Sequence, residues 1–195
     1  MINVVRFFIK VVFTIFFRVT IIGRENIPQT GAALLCANHN AELGMFFIGY
    51  KIKRLVRWMA KEELFRNKIF GGFFRWTGAF PVKRGKGDIG AFKTVLRLLK
   101  DGHIVGMFPE GTRIKKKDDA LVNVKAGVAL FAVQSGAPIL PVAVSGGNRI
   151  FDKVKVVFGQ PYQLDIDHSK KYTSDELTEI SNGIMQKVYA LLEEK

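Results

Sequence analysis

The segment from residue 35 to residue 44 places a histidine where it could act as a general base. An apolar run, residues 32–37, stops at the polar pair Asn38 and His39. A histidine at the end of a buried strand could take a proton from an alcohol near neutral pH, because the unperturbed pKa of imidazole is about 6.5. The same pattern is typical of a structural histidine held by hydrogen bonds, so on this segment alone both interpretations stay open.

Two other apolar runs also end in polar residues, one at Lys83 and Arg84 and the other at the segment 109–113 (PEGTR). A planar guanidinium offers paired donors to two phosphate oxygens, which suits Arg84 and Arg113 to a phosphate group. Each cation taken singly is also what an ordinary exposed surface residue looks like.

The second of these polar segments contains two residues that could shape a site. Gly111 would let the backbone approach a ligand closely, because it has no side chain. Glu110, its neighbour, could orient an arginine or a substrate hydroxyl.

Strand and helix patterns alternate along the chain and would position these residues. Asp88 is placed to cap a helix that closes near residue 102, and Thr173 with Glu176 forms a capping box for the last helix. Further strands are predicted at residues 19–23, 55–60, 79–83, 104–108, 138–144 and 153–158, and a further helix at residues 125–135. The sequence predicts a single α/β domain with a central, mostly buried mixed sheet flanked by helices.

Two features of this sheet follow from the pattern. In open α/β sheets ligands gather beyond strand ends, so the polar ends could converge on one site. Residues 153–158 alternate between polar and apolar, which is typical of an edge strand.

The N-terminal residues 1–22 predict a basic amphipathic helix. Polar residues recur every fourth position within an otherwise Phe-, Val- and Ile-rich segment, at Arg6, Lys10, Thr14 and Arg18. Repeated cations argue against a spanning helix, and no small-residue cleavage site follows, as a signal peptide would need. We expect the helix to lie in a membrane interface. A helix that only packs on the protein core is the alternative.

Composition limits the partners. The 195 residues carry a net charge of +13, which favours nucleic acid, anionic lipid headgroups or an acidic carrier protein, and 17 phenylalanines favour lipid. The single cysteine, Cys36, lies in an apolar run, predicting a buried core residue and a reducing, cytoplasmic setting. The aromatic segment 70–76 could line an acyl pocket or belong to the core.

Four blocks in order, together spanning a little over half of the chain, resemble the glycerolipid acyltransferases related to 1-acyl-sn-glycerol-3-phosphate (lysophosphatidic acid) acyltransferase. Asn38 and His39 resemble the start of the family's NHxxxxD motif, and residues 80–84 (FPVKR) resemble its strand-end arginine. Residues 108–113 match the FPEGTR block in full, and residues 140–144 (LPVAV) form the fourth block.

This resemblance implies transfer of a fatty acyl group from acyl carrier protein or coenzyme A to the free hydroxyl of lysophosphatidic acid, without an acyl-enzyme, metal or resident cofactor. His39 would be the base. The chain would be monotopic on the cytoplasmic face of the cell membrane, with residues 1–22 as its membrane-associating helix and 23–195 as its acyltransferase domain. The phosphate would be held by Lys83, Arg84 and Arg113, and the site shaped by Asn38, Glu110, Gly111, Thr112 and Pro141.

The chain departs from the family motif at one position. The motif's aspartate, five residues after the histidine, is replaced by Gly44. Because that carboxylate orients the imidazole and stabilises its protonated form, the resemblance implies a weakened or inactive enzyme. An introduced Asp-to-Gly change is the explanation we favour; natural divergence and substitution by the nearby Glu42 are the alternatives.

Two further functions compete with acyl transfer. One is a non-catalytic relative that binds lysophospholipid, and the other is nucleic-acid binding through the basic surface, although the sequence contains no recognised nucleic-acid motif. Three histidines and one cysteine provide no metal-ligand spacing, so no metal site is expected. We expect His103 and His168 to be structural or solvated.

Overall fold

A computed structural model describes residues 11–41, 43–49, 52–83, 87–111, 124–147, 149–167 and 169–193. Residues 1–10 of the predicted N-terminal helix lie outside these ranges, so that part of the prediction stays a prediction. The same holds for seven single residues with predicted roles, which are Arg6, Lys10, Glu42, Arg84, Thr112, Arg113 and His168.

Seven strands in the described ranges form one mixed sheet, as the alternating pattern predicts. They are β1 (Arg18–Ile22), β2 (Ala33–Ala37), β3 (Val56–Lys61), β4 (Phe80–Val82), β5 (Ile104–Met107), β6 (Ile139–Ser145) and β7 (Lys153–Phe158). Their order is β1-β7-β6-β2-β5-β3-β4, and only the β6–β7 pair is antiparallel.

The edge-strand prediction for residues 153–158 is wrong. Strand β7 pairs with β1 on one side and with β6 on the other, so it lies inside the sheet. Its alternation comes from Lys153 and Lys155 at its start, whereas its last three residues are buried.

Six α-helices in the described ranges cover the sheet. They are α1 (residues 11–16), α2 (Gly44–Gly49), α3 (Lys68–Trp76), α4 (Ile89–Lys100), α5 (Gly127–Ser135) and α6 (Ser174–Ala190). The predicted caps are confirmed: the Asp88 carboxylate accepts from the Ala91 N–H at the start of α4, and Thr173 and Glu176 form the capping box of α6.

The core has two parts, one on each face of the sheet. Strand β2 is buried along its whole length because its side chains enter both parts, Leu35 on one face and Leu34 on the other. Phe47 and Trp58 belong to the first part, and Ile184 of α6 belongs to the second. Burial on both faces explains why this strand is a continuous apolar run in the sequence.

The helical prediction for residues 1–22 is wrong at its C-terminal end. Helix α1 ends at residue 16, and β1 begins at Arg18, where the backbone pairs in parallel with β7. The separate prediction of a strand at residues 19–23 is therefore confirmed. Among the helices that the structure describes, none has the length and apolar character needed to cross a bilayer.

The aromatic segment 70–76 lies on α3 and is divided between core and surface. The rings of Phe73 and Phe74 pack against Phe46, with centroids 6.0 and 6.4 Å away, whereas Phe70 is exposed. The acyl-pocket interpretation of this segment stays a prediction.

Candidate active site

The polar residues that end the strands lie along one edge of the sheet, which we call the site edge. Strands β2, β6, β5, β3 and β4 end there, and β1 and β7 begin there, because these two run in the opposite direction. His39 follows β2 and Glu110 follows β5, so the predicted convergence of these two residues is confirmed.

Asn38 fixes the end of β2 against β6. Its buried side-chain amide donates to the Val144 carbonyl at 2.9 Å and accepts from the Val144 N–H at 2.7 Å. Asn40 donates to the same carbonyl at 2.7 Å. Backbone pairing between these strands stops after Ala37 and Val142, so the Asn38 amide continues the pairing in place of the backbone and holds the next residue in place.

The His39 ring lies in a stack of three aromatic rings. It stacks on Phe108 with centroids 4.3 Å apart and planes at 19°, and Phe108 stacks on Trp58 at 5.2 Å and 16°. The three residues come from the ends of β2 and β5 and from β3, so three strands set the position of the imidazole. The Nδ1 atom of this ring is buried.

Glu110 is a buried carboxylate that joins three parts of the chain. It accepts hydrogen bonds from the backbone N–H of His39, at 2.6 Å, and from the hydroxyl of Tyr189 in α6. Burial raises the pKa of Glu110, against the opposing effect of these two donors. This position agrees with a site-shaping role, and orientation of an arginine or a substrate hydroxyl stays a prediction.

Gly44 is the first residue of α2 and faces the same aromatic stack. A Cβ atom built on Gly44 would lie 3.6 and 3.7 Å from two atoms of the Phe108 ring, which is ordinary van der Waals contact. A Cβ atom at position 44 therefore fits without displacing the ring on which His39 stacks.

The other predicted site residues are less closely joined to His39. Lys83 follows β4, two strands from β5 on the site edge, and its backbone N–H donates to Asp88 at 2.8 Å. Gly111 has φ +70°, a conformation that favours glycine, and its N–H donates to the Phe108 carbonyl.

Pro141 lies within β6, beside Cys36 of β2. Cys36 is buried as predicted, and burial raises the pKa of its thiol.

Tyr189 is a site residue that was not predicted from the sequence, as are Trp58 of the ring stack and Asn40. Tyr189 lies far from Glu110 in the sequence, beside the apolar positions of the last helix. A partly buried tyrosine usually finds a hydrogen-bond partner, which is the only available signal, and it does not identify that partner.

We expect Tyr189→Phe to destabilise the protein by about 1.5–3 kcal/mol, the usual contribution of a hydrogen bond to a charged group. The rate of any reaction at His39 should fall with it, because Glu110 also accepts from the His39 backbone. Denaturant unfolding gives the free energy, and a catalytic assay gives the rate.

Tyr162→Phe is the matched control for this prediction. The Tyr162 hydroxyl is buried and has no hydrogen-bond partner among the described residues, so removing it should cost little. Equal losses of stability in the two variants would contradict the proposed importance of the Tyr189–Glu110 contact.

Comparison with known proteins gives one consistent result. A family model described as "Acyltransferase" matches residues 18–145. The chain is 31% identical to the 1-acyl-sn-glycerol-3-phosphate acyltransferase of Bacillus subtilis over 190 residues, 94% of this chain and 92% of the relative. It is 35% identical to the Streptococcus pneumoniae protein of the same name over 179 residues, 87% of this chain and 64% of that one.

A solved structure shares the fold. The crystal structure of the 1-acyl-sn-glycerophosphate (LPA) acyltransferase PlsC from Thermotoga maritima aligns with 100% of this chain and 80% of its own, at a TM-score of 0.69 and 24% identity. At this identity the likeness concerns the fold alone. Tyr189 lies beyond the residues that the family model matches.

Proposed function

The chain belongs to the acyltransferase family, and from this premise we propose that it is a 1-acylglycerol-3-phosphate O-acyltransferase. It transfers a fatty acyl group from an acyl thioester to the free hydroxyl of lysophosphatidic acid and gives phosphatidic acid. The observation that carries the proposal is the direct contact between His39 and Glu110, because it joins the two family motifs in one place.

His39 acts as the general base in the proposed reaction. It takes the proton of the acceptor hydroxyl as that oxygen attacks the thioester carbonyl carbon, and it returns a proton to the thiolate when the carbon–sulfur bond breaks. The ring stack supports this role by restraining the imidazole. Direct transfer is further supported by the burial of Cys36, which keeps its thiol protonated and away from substrate.

The acceptor phosphate is held by Lys83, Arg84 and Arg113 in this proposal. Support comes from Lys83, which follows β4 on the site edge, and from the suitability of arginine for phosphate. The donor thioester is carried by acyl carrier protein or coenzyme A. The net charge of +13 suits the acidic carrier protein and anionic membranes equally.

The enzyme is proposed to be monotopic on the cytoplasmic face of the cell membrane. Helix α1 supports this placement, because Phe13 and the following Phe17 pack on the core while Val12, Ile15 and Phe16 stay exposed. The helix thus combines the two interpretations of its sequence, with one side against the core and another available to lipid.

Gly44 supports a second candidate, a non-catalytic relative that binds lysophospholipid. In this chain the position of the family's aspartate, beside the Phe108 ring on which His39 stacks, has no carboxylate. A weakened enzyme and a binding protein differ only in whether the thioester is consumed.

One assay tests these alternatives. The full chain is incubated with lysophosphatidic acid and an acyl thioester. One sample contains the thioester of acyl carrier protein and a second contains the coenzyme A thioester of the same acyl length, and released thiol and phosphatidic acid are both measured. With either donor, we expect the amount of thiol to equal the amount of phosphatidic acid. Lysophosphatidic acid binding without thiol release would favour the binding protein, and absence of both binding and release would overturn both functions.

A further inference from the structure

Outside α1, two segments of the described chain each carry two adjacent, largely exposed apolar side chains, whereas other exposed apolar residues such as Ile89 (70% exposed) occur singly. Ile69 and Phe70 of α3 are 82% and 63% exposed, and Ile150 and Phe151, between β6 and β7, are 65% and 69% exposed. Burying such side chains is a strong driving force for association, so contiguous exposed groups of this kind commonly mark an interaction surface.

The segment containing Ile150 and Phe151 lies on the site edge. It follows the end of β6 and precedes β7, whose start pairs with the start of β1 through Lys153 and Arg18. Val144, near the end of β6, is the residue that holds Asn38. This segment therefore lies on the same side of the molecule as His39.

Ile69 and Phe70 lie on this side as well. Strand β3 is parallel to β5 and ends at Lys61 on the site edge, and α3 begins soon afterwards, capped by Asn67. Both apolar residues fall in the first turn of α3, before the helix runs back along the sheet. The two segments thus lie at the two ends of the site edge, one beside β1 and the other beside β4, the outermost strands of the sheet.

The backbone at Phe151 shows that this exposed ring is held in place. Its φ is +69°, a left-handed conformation that is costly for a bulky residue. The Phe151 N–H donates to the Phe16 carbonyl at 2.7 Å, and the two rings lie 6.1 Å apart. The Asp152 carboxylate accepts from the Arg149 N–H at 3.0 Å and closes the turn. The fold therefore maintains a strained conformation that exposes an aromatic ring beside α1.

Exposed cations accompany both apolar pairs. Arg149 and Lys153 flank Ile150 and Phe151, and Arg66 and Lys68 precede Ile69 and Phe70. Basic residues next to large apolar side chains match the chemistry of an anionic bilayer surface, with headgroup phosphates above acyl chains.

We propose that the pairs Ile150–Phe151 and Ile69–Phe70, on either side of the site edge, insert into the interface of an anionic bilayer. The inference rests on the proposed function only in expecting a lipid acceptor, and it adds two insertion segments to α1. A bilayer fits better than an acidic carrier protein, because the apolar pairs lie at the two ends of the site edge and α1 extends the same surface.

Vesicle co-sedimentation of the full chain, without acyl donor, tests the surface. Vesicles of phosphatidylcholine are compared with vesicles that also contain phosphatidylglycerol. We expect tighter binding to the anionic vesicles, and we expect Ile150→Ser with Phe151→Asn, and Ile69→Ser with Phe70→Ser, each to weaken it about tenfold or more. Asn tolerates the left-handed backbone at position 151, so the melting temperature of the first variant should not fall.

Ile22→Thr is the matched control, because Ile22 is also exposed but ends β1 on the opposite edge of the sheet. Its vesicle affinity should stay within about twofold of the unaltered chain. Unchanged affinity in both double variants, an equal loss in the control, or a loss of carrier-protein binding with unchanged vesicle binding would overturn the proposal.

Acyl transfer is measured separately, on lysophosphatidic acid dispersed in detergent and embedded in vesicles. Each double variant should have a lower rate than the unaltered chain on vesicles and an unchanged rate in detergent. A chain that binds vesicles as expected but transfers no acyl group would sink the proposed function and leave the membrane surface intact.

Discussion

Replacing Gly44 with aspartate should raise the rate of acyl transfer by about 10²–10⁴-fold, the range over which a histidine loses activity when its orienting carboxylate is removed. The reason is local. Position 44 faces the Phe108 ring on which His39 stacks, and a Cβ atom there meets only ordinary van der Waals contacts. We expect a carboxylate carried on this Cβ to reach the imidazole on the other side of the contact and to stabilise its protonated form.

Two controls separate charge from shape in this experiment. Gly44→Asn has nearly the same shape without the negative charge, so it should recover much less activity than Gly44→Asp. Gly44→Asp combined with His39→Ala should recover none, because the carboxylate acts through the imidazole. No gain in turnover from Gly44→Asp would contradict the idea that Gly44 marks a lost catalytic partner. If Glu42 already substitutes, Glu42→Gln should abolish the activity of the unaltered chain.

The sheet could be predicted from the sequence because its central strands are buried on both faces. Strands such as β2 and β5 are short apolar runs that stop at polar residues, and this contrast marks both their ends and the site edge. The neighbours of β7 could not be predicted. Its lysines lie at its start, on the site edge. They are exposed because the strand begins there, and not because one side of the strand lacks a neighbour.

The end of α1 could not be predicted for a related reason. A four-residue period of polar side chains continues through Arg18, but Arg18 pairs with Lys153 of β7 and begins a strand. Helical periodicity describes the spacing of polar and apolar side chains and does not determine the hydrogen-bond partners of the backbone. The backbone changes where a distant strand offers hydrogen bonds, and the local sequence does not encode that location.

The site shows the same division between local and distant information. His39 and Glu110 could be identified because each follows an apolar run at a strand end. The contact of Glu110 with Tyr189 depends on how α6 packs on the sheet, so no local pattern indicates it. Site residues at strand ends can therefore be predicted from the sequence, whereas a site residue contributed by a helix that packs on the sheet cannot.

Replacing His39 with alanine should lower the rate of acyl transfer by about 10²–10³-fold relative to the unaltered chain, because a positioned general base contributes that much. The imidazole is held by its stack on Phe108, the Asn38 amide holds the preceding residue, and the Glu110 carboxylate holds the N–H of His39 itself. These backbone contacts do not involve the imidazole, so the variant should fold, with a modest loss of stability from the missing ring stack.

The pH dependence of the rate separates a catalytic from a structural His39. The unaltered chain should lose activity at acid pH as the imidazole becomes protonated, because a protonated ring cannot accept the hydroxyl proton. His39→Gln keeps a polar side chain and should lose both the activity and this acid limb. His103→Ala is the control, since His103 precedes β5 at the end opposite the site edge, and its rate and pH profile should match the unaltered chain. An unchanged rate in His39→Ala would exclude His39 as the base, whatever the effect of Gly44→Asp.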